Sequence, residues 1–202
     1  MNRSLDRRPI RLYTDTMQDE RNSLTLDDIF GFSEALDYIN GRLPEDRRLS
    51  MAGFRRHVYD DPDRPGSLFQ LEPIAVGQRT FEDGRRAVTR VFTRRMLDAY
   101  LGAREYNAGY GVERSVVRPT AAEVAGILSK PEALARINRR LEERGVAHRM
   151  TGVAYNSYRS RGKLPHRVVG SAAVYRPQDI DAFVEEWVAS WGGAEHPRIG
   201  AH

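Results

Sequence analysis

The chain has 202 residues, a formal net charge of +4 and no cysteine, which removes disulfides, thiolate metal sites and thiol catalysis together. A length near 200 residues allows one large domain or two small ones, and no run of about 18 apolar residues is present to span a membrane. Met1-Asn2-Arg3-Ser4-Leu5-Asp6-Arg7-Arg8 lacks the apolar stretch of a secretory signal, so a cytoplasmic protein is expected.

Residues 1–23 read as a flexible N-terminal arm, mixing Arg7, Arg8 and Arg11 with Asp15, Asp19 and Glu20 without periodicity. Order is expected from Leu24, in a first unit spanning 24–104. Ser33 can cap a helix whose Leu36, Ile39 and Leu43 share one face. Ser50 can cap a second, running to Tyr59 with Phe54 and Val58 four apart. Asp60-Asp61-Pro62-Asp63-Arg64-Pro65-Gly66 is expected to be a loop, and its aspartates lack the spacing and terminal glutamate of a calcium loop. Leu71–Val76 and Ala87–Thr93 are β-prone and flank Glu82-Asp83-Gly84-Arg85-Arg86, where Asp-Gly marks a hairpin turn. A helix from Arg94 to near Gly102 closes the unit, and 105–116 reads as a linker.

The second unit, 117–192, opens on a capping box, Thr120 with Glu123, and its helix is expected to turn Val124, Ile127 and Leu128 inward. A helix over Pro131–Arg144 sets Leu134, Ile137 and Leu141 against Arg136, Arg139, Arg140 and Arg144. Another begins after Thr151 and runs to Arg161, stopped by Gly162. A shorter hairpin, His166–Tyr175, turns at Gly170-Ser171. The last helix starts at Pro177 and lines Ile180, Phe183, Val184, Trp187, Val188 and Trp191 along one stripe. Gly192-Gly193 ends it, and 193–202 reads as a disordered tail.

The two units repeat one another. Val91-Phe92-Thr93-Arg94-Arg95-Met96-Leu97-Asp98-Ala99-Tyr100-Leu101 returns as Val174-Tyr175-Arg176-Pro177-Gln178-Asp179-Ile180-Asp181-Ala182-Phe183-Val184, each preceded by a Val-Gly, Val76-Gly77 or Val169-Gly170. Upstream lie the Arg-bearing stretches Phe54–Tyr59 and Tyr155–Gly162. The expected fold is mainly α with small β wings (α+β), as two tandem winged helix-turn-helix domains. Charge is uneven as well: residues 136–176 hold ten Arg or Lys against two acids, while Asp179, Asp181, Glu185, Glu186 and Glu195 face Arg198 alone in the last stretch. Such a basic segment is the footprint of a phosphate-binding face.

Tyr158-Arg159-Ser160-Arg161-Gly162-Lys163-Leu164-Pro165, Val169-Gly170 and Val174–Phe183 together resemble the excisionase and MerR-type winged helix-turn-helix family, especially its AlpA-like members. The first unit is similar through Phe54–Tyr59 and Val91–Leu101 but departs from the pattern in its Asp60–Gly66 loop and long wing. The resemblance implies a second helix in the DNA major groove and a wing along the minor groove or backbone. The residues argue the same way. With Tyr155 and Tyr158 packed inward, Asn156, Ser157, Arg159, Ser160 and Arg161 are left to reach base edges, where Arg suits guanine and Asn adenine. Arg55, Arg56 and His57 take that part in the first unit. Arg85, Arg86, His166 and Arg167 on the wings are candidates for phosphates or a narrow minor groove, and Lys163 is a further DNA-binding candidate.

The five histidines lack metal-ligand spacing, and neither a phosphate loop nor a nucleophile elbow occurs, so no enzyme, metal or cofactor is expected. The expectation is a sequence-specific double-stranded DNA-binding protein, nucleoid-associated, acting as a transcriptional regulator or architectural factor of phage, plasmid or mobile-element type. The alternatives are an excisionase acting as a recombination directionality factor, a plasmid-partition protein, a phage-packaging adaptor, or a protein-interaction adaptor that kept the fold without DNA binding. The closing helix, with Trp187 and Trp191, offers a surface for docking on the first unit or for a homodimer; burial within its own unit is the other reading.

Overall fold

The chain runs twice through the order strand, helix, helix, hairpin, helix. A computed structural model describes residues 24–58, 68–80, 82, 84, 86–110 and 115–190. The expected arm (1–23), the Asp60–Gly66 loop, Arg85, Trp191 and the 193–202 tail lie outside the described residues. Within them the protein is a mixed α+β structure with seven α-helices and small sheets.

In the first unit β1 (Ile29–Phe30) leads into α1 (Phe32–Asn40) and α2 (Met51–Val58). After β2 (Phe69–Leu71) come the hairpin β3 (Ile74–Thr80) and β4 (Arg86–Thr93), then α3 (Arg94–Tyr110). The connection holds β5 (Ser115–Val117) and a short α4 (Ala121–Ala125). The second unit repeats the order as β6 (Leu128–Ser129), α5 (Lys130–Glu143), α6 (Gly152–Ser160), the hairpin β7 (Arg167–Val169) and β8 (Ala172–Tyr175), and α7 (Pro177–Ala189).

The two antiparallel sheets, β1-β4-β3 and β6-β8-β7, share a register. Phe30 pairs with Phe92 as Leu128 pairs with Tyr175, and Val76 pairs with Thr89 as Val169 pairs with Ala172. The copies part at a glycine. Gly170 (φ +58°) turns the second hairpin, whereas Gly77 (φ +68°) forms a bulge, beyond which the first ribbon continues through Gln78↔Val88, Arg79↔Ala87 and Thr80↔Arg86. Both positions need the left-handed backbone that glycine adopts without strain.

Helix starts and interhelix turns repeat too. The Gly31 N–H donates to Glu34 Oε2 at 2.7 Å, and the Ser129 N–H to Glu132 Oε2 at the same distance. The first helix thus begins before Ser33, the cap expected from sequence, because Glu34 reaches back to Gly31. Asn40 bonds both polar groups of Leu49, donating to its carbonyl (2.9 Å) and accepting from its N–H (2.8 Å); Asn138 does the same with Met150 at 3.2 and 2.7 Å. Each asparagine satisfies backbone groups that a turn would leave unpaired. The following residues, Ser50 and Thr151, then cap α2 and α6 through Gly53 and Ala154.

Three further sequence expectations are corrected. The helix expected to stop near Gly102 continues to Tyr110, since one mid-helix glycine costs only about 1 kcal/mol and Ala103-Arg104-Glu105 are good helix formers. Part of the expected linker is a strand: β5 pairs in parallel with β2, which Pro73, lacking an N–H, separates from β3. In α4 it is Glu123, not Val124, that turns inward; Val124 is 48% exposed.

The reason is that the units are packed together. One apolar core holds Ile29, Ile39, Phe54, Phe92, Met96, Leu97 and Tyr100 of the first unit, and also Ile127, Val169 and Val174 from the second. The other core, built on Ile137, Leu141, Tyr155, Tyr175, Ile180 and Phe183, belongs to the second unit alone. Trp187 is buried there and its indole N–H donates to the Tyr158 hydroxyl at 2.9 Å, so this tryptophan is spent within its own unit.

Candidate nucleic-acid interface

Asp181 decides which cations remain on the surface. It projects from α7 toward α5 and accepts from Arg136 (2.7 and 2.6 Å) and from Arg140 (3.1 and 3.0 Å). The two guanidiniums, Arg136 first, hold its carboxyl down to about 2. Glu185 on the same helix pairs with Arg144, and Asp179 takes Arg176 at 2.7 and 2.6 Å. The basic stretch and the acidic stretch that follows it therefore neutralise each other across the α5–α7 contact.

Four cations of that stretch have no acid partner among the described residues: Arg149, Arg159, Arg161 and Lys163. They sit at the two ends of α6, and no acid occurs in the sequence between Glu143 and Asp179. Arg149, Arg161 and Lys163 are exposed, as are Asn156 and Ser160, while Ser157 and Arg159 are half-buried. The Ser160 hydroxyl is turned back onto the Ser157 carbonyl at 3.0 Å. Tyr155, fully buried, anchors the opposite side of the helix against Tyr175, with ring centroids 5.7 Å apart.

A cleft of about 460 Å³ separates α6 from the β7–β8 hairpin; Arg159, Ser160 and His166 meet around it with Val168 and Ser171. His166 is fixed there, Nδ1 lying 2.9 Å from the Leu164 carbonyl and its ring stacked on Tyr175. Thus helix and hairpin residues named separately from the sequence converge on one open, acid-free surface.

Two candidates stand elsewhere. Arg167 leaves the hairpin on its other face and bonds Glu34 at 3.0 Å and the Leu26 carbonyl at 3.2 Å, with Asp27 at 3.6 Å. It ties the hairpin to the first unit. His57 points inward from α2: Nδ1 lies 3.0 Å from the Phe69 carbonyl, the ring stacks on Phe69, and burial lowers its pKa. Its neighbours Arg55 and Arg56 are exposed. Arg86 opens β4, and Arg85 lies outside the described residues.

Sequence reasoning missed the polar junction of the units. Glu123, nearly buried, accepts from the Thr93 hydroxyl, from Arg95 at 2.5 Å, and from the N–H and hydroxyl of Thr120 at 2.8 and 2.9 Å. Burial pushes this carboxyl up, and the four donors together hold it below its ordinary value. Only the Thr120 half was legible, as a capping box. Arg176 adds a bond to the Leu24 carbonyl at 3.1 Å.

The first unit carries a groove of about 850 Å³ between the α1–α2 turn, β2 and α3, with Leu43, Leu68, Phe69 and Leu101 in its wall and Arg42, Arg47, Asp98, Arg104 and Glu105 around it. Among the described residues no cluster of three or more His, Cys, Asp or Glu is placed to hold a metal, and no helix is long and apolar enough to cross a membrane. No family model matches the chain, and no match was found to a curated protein or to a solved structure.

Proposed function

We propose that the chain is a sequence-specific double-stranded DNA-binding protein made of two tandem winged helix-turn-helix units of the excisionase and MerR-like, AlpA-like kind. Its role is that of a transcriptional regulator or an architectural factor of phage, plasmid or mobile-element DNA. The observation that carries this reading is the sorting of charge. Arginines facing α7 or the first unit are neutralised, while those at the ends of α6 are left together without an acid. A surface of that kind suits a polyanion, and a docked helix with a polar outer face suits the major groove.

On this reading Arg149, Arg159, Arg161 and Lys163 meet phosphates or guanine, Asn156 and Ser157 meet base edges, and Arg55 and Arg56 serve the first unit. Arg167 and His57 hold the scaffold. Gel-shift titration of random-sequence duplex tests it. The double substitution Arg159→Ala/Arg161→Ala is expected to weaken binding by about 1–3 kcal/mol per base contact, or to flatten the salt slope by roughly one per phosphate contact. Its melting temperature should move little, because Arg161 is exposed and Arg159, half-buried, has no acid partner among the described residues, and surface substitutions away from such pairs seldom cost more than about 0.5 kcal/mol. Unchanged affinity and salt dependence would take α6 out of any interface with DNA. The adaptor reading draws on the apolar groove of the first unit, and absence of duplex binding by the wild type would favour it.

A further inference from the structure

We propose that Val153 is a specificity-determining residue: its side chain receives the 5-methyl group of a thymine, so that the half-site read by α6 contains that thymine close to an adenine held by Asn156. This rests on the double-stranded DNA reading above. Val153 is 82% exposed, more than any other large hydrophobic residue described. A β-branched side chain in the first turn of a helix, with most of its surface in solvent, serves neither helix propensity nor the core.

Its position supplies the reason. Residues 153, 156, 157 and 160 fall at i, i+3, i+4 and i+7 of α6 and so form one face. That face is uncharged, opposes the buried Tyr155, and is flanked by Arg149 before it and by Arg159, Arg161 and Lys163 at its far end. A protein partner would ask for a broader apolar patch; here one valine stands among Gly152, Asn156, Ser157 and Ser160. In the major groove the apolar group on offer is the thymine methyl, and one turn along an asparagine amide matches N6 and N7 of adenine.

The other copy argues by contrast. Counted from the equivalent buried aromatics Phe54 and Tyr155, Ala52 stands where Val153 does, and Arg55-Arg56 where Asn156-Ser157 do. The first helix then prefers guanine and the second a T·A pair beside an A·T pair, which makes the composite site asymmetric in base composition.

The test begins with selection from a duplex pool randomised over about 30 bp, enough for two half-sites one turn apart. Wild type and Val153→Ala are then titrated against the selected duplex and against versions in which single thymines are replaced by deoxyuridine, lacking only the methyl. At one thymine, methyl removal should weaken the wild type about fourfold, the worth of one buried methyl. Val153→Ala should bind both duplexes equally, at the weakened level. Methyl removal that acts alike on both proteins at every thymine, or a selected site without thymine in this half, would overturn the assignment while leaving DNA binding intact. A concentration-dependent doubling of mass that Val153→Ala abolishes would give the residue to a second copy and overturn it too. No duplex binding by the wild type would overturn this inference and the proposed function together.

Discussion

Two tyrosines in the second unit occupy the places of phenylalanines in the first. Tyr155 and Tyr175 meet as Phe54 and Phe92 do, with ring centroids 5.7 and 5.8 Å apart. Both hydroxyls are buried, close to one another but outside hydrogen-bonding geometry, and burial raises the Tyr155 pKa far above its ordinary value. A buried hydroxyl without a partner costs about 1–3 kcal/mol, so Tyr155→Phe should leave stability unchanged or raise it by about 1 kcal/mol in urea denaturation. A loss of stability in Tyr155→Phe would mean that the hydroxyl is hydrogen-bonded in the folded state. Asp181 calls for the opposite result. Its carboxyl is depressed from 3.8 to about 2, so its contribution is present above pH 3.8 and is lost as pH falls through 2. Asp181→Asn should cost ~1–2 kcal/mol at neutral pH, as the partly buried Arg136 loses its carboxylate and Arg140 keeps only Glu143, and the gap to wild type should close only as pH falls below about 2. Equal stabilities at pH 7 would deny that this contact holds α5 to α7. Residues of this kind show where sequence reading stops. Tyr155 is read as inward from its spacing to Tyr158, but the pairing of Arg136 and Arg140 with Asp181 depends on how two helices cross, and no local spacing encodes it.

At the scale of elements, the repeated closing segment was legible because it combines a β-prone aromatic pair with a helix start, two local signals in fixed order. The equivalent asparagines, Asn40 and Asn138, were not, since an asparagine within a helical pattern carries no mark of the turn it will grip. The second hairpin is legible in the sequence as a hairpin but not as a two-sided surface. Its strands alternate, and one face, with Arg167, Val169 and Val174, is covered by the first unit, while Val168 on the other is exposed. Gly31 sits at that contact. Its backbone (φ −76°, ψ 178°) suits any residue, yet a Cβ there would lie 2.8 Å from Val169 Cγ1. Gly31→Ala should therefore destabilise by about 1–3 kcal/mol through overpacking. Val169→Ala in the same chain should recover part of that loss, and additive effects of the two substitutions would contradict the contact.

At the scale of the molecule, a shared core and the Glu123, Arg167 and Arg176 bonds make the two repeats one body rather than beads on a linker. That much was not legible: duplication suggests independent domains, and nothing local announces that Ile127 leaves its own unit for the other's core. Excising one half would expose these residues, so point substitutions in the intact chain are the cleaner probe. If α2 and α6 both read DNA from a body of fixed geometry, each owns one half of a composite site, and their separation cannot adjust. The decisive measurement is a footprint of the intact chain on its selected duplex beside those of Arg55→Ala/Arg56→Ala and Arg159→Ala/Arg161→Ala. The expected result is a two-part footprint, with halves about one helical turn apart, from which the first substitution removes one half and the second removes the other. No protection by the wild type, or a footprint that both double variants leave whole, would contradict the claim that this chain reads DNA through its two repeated helices.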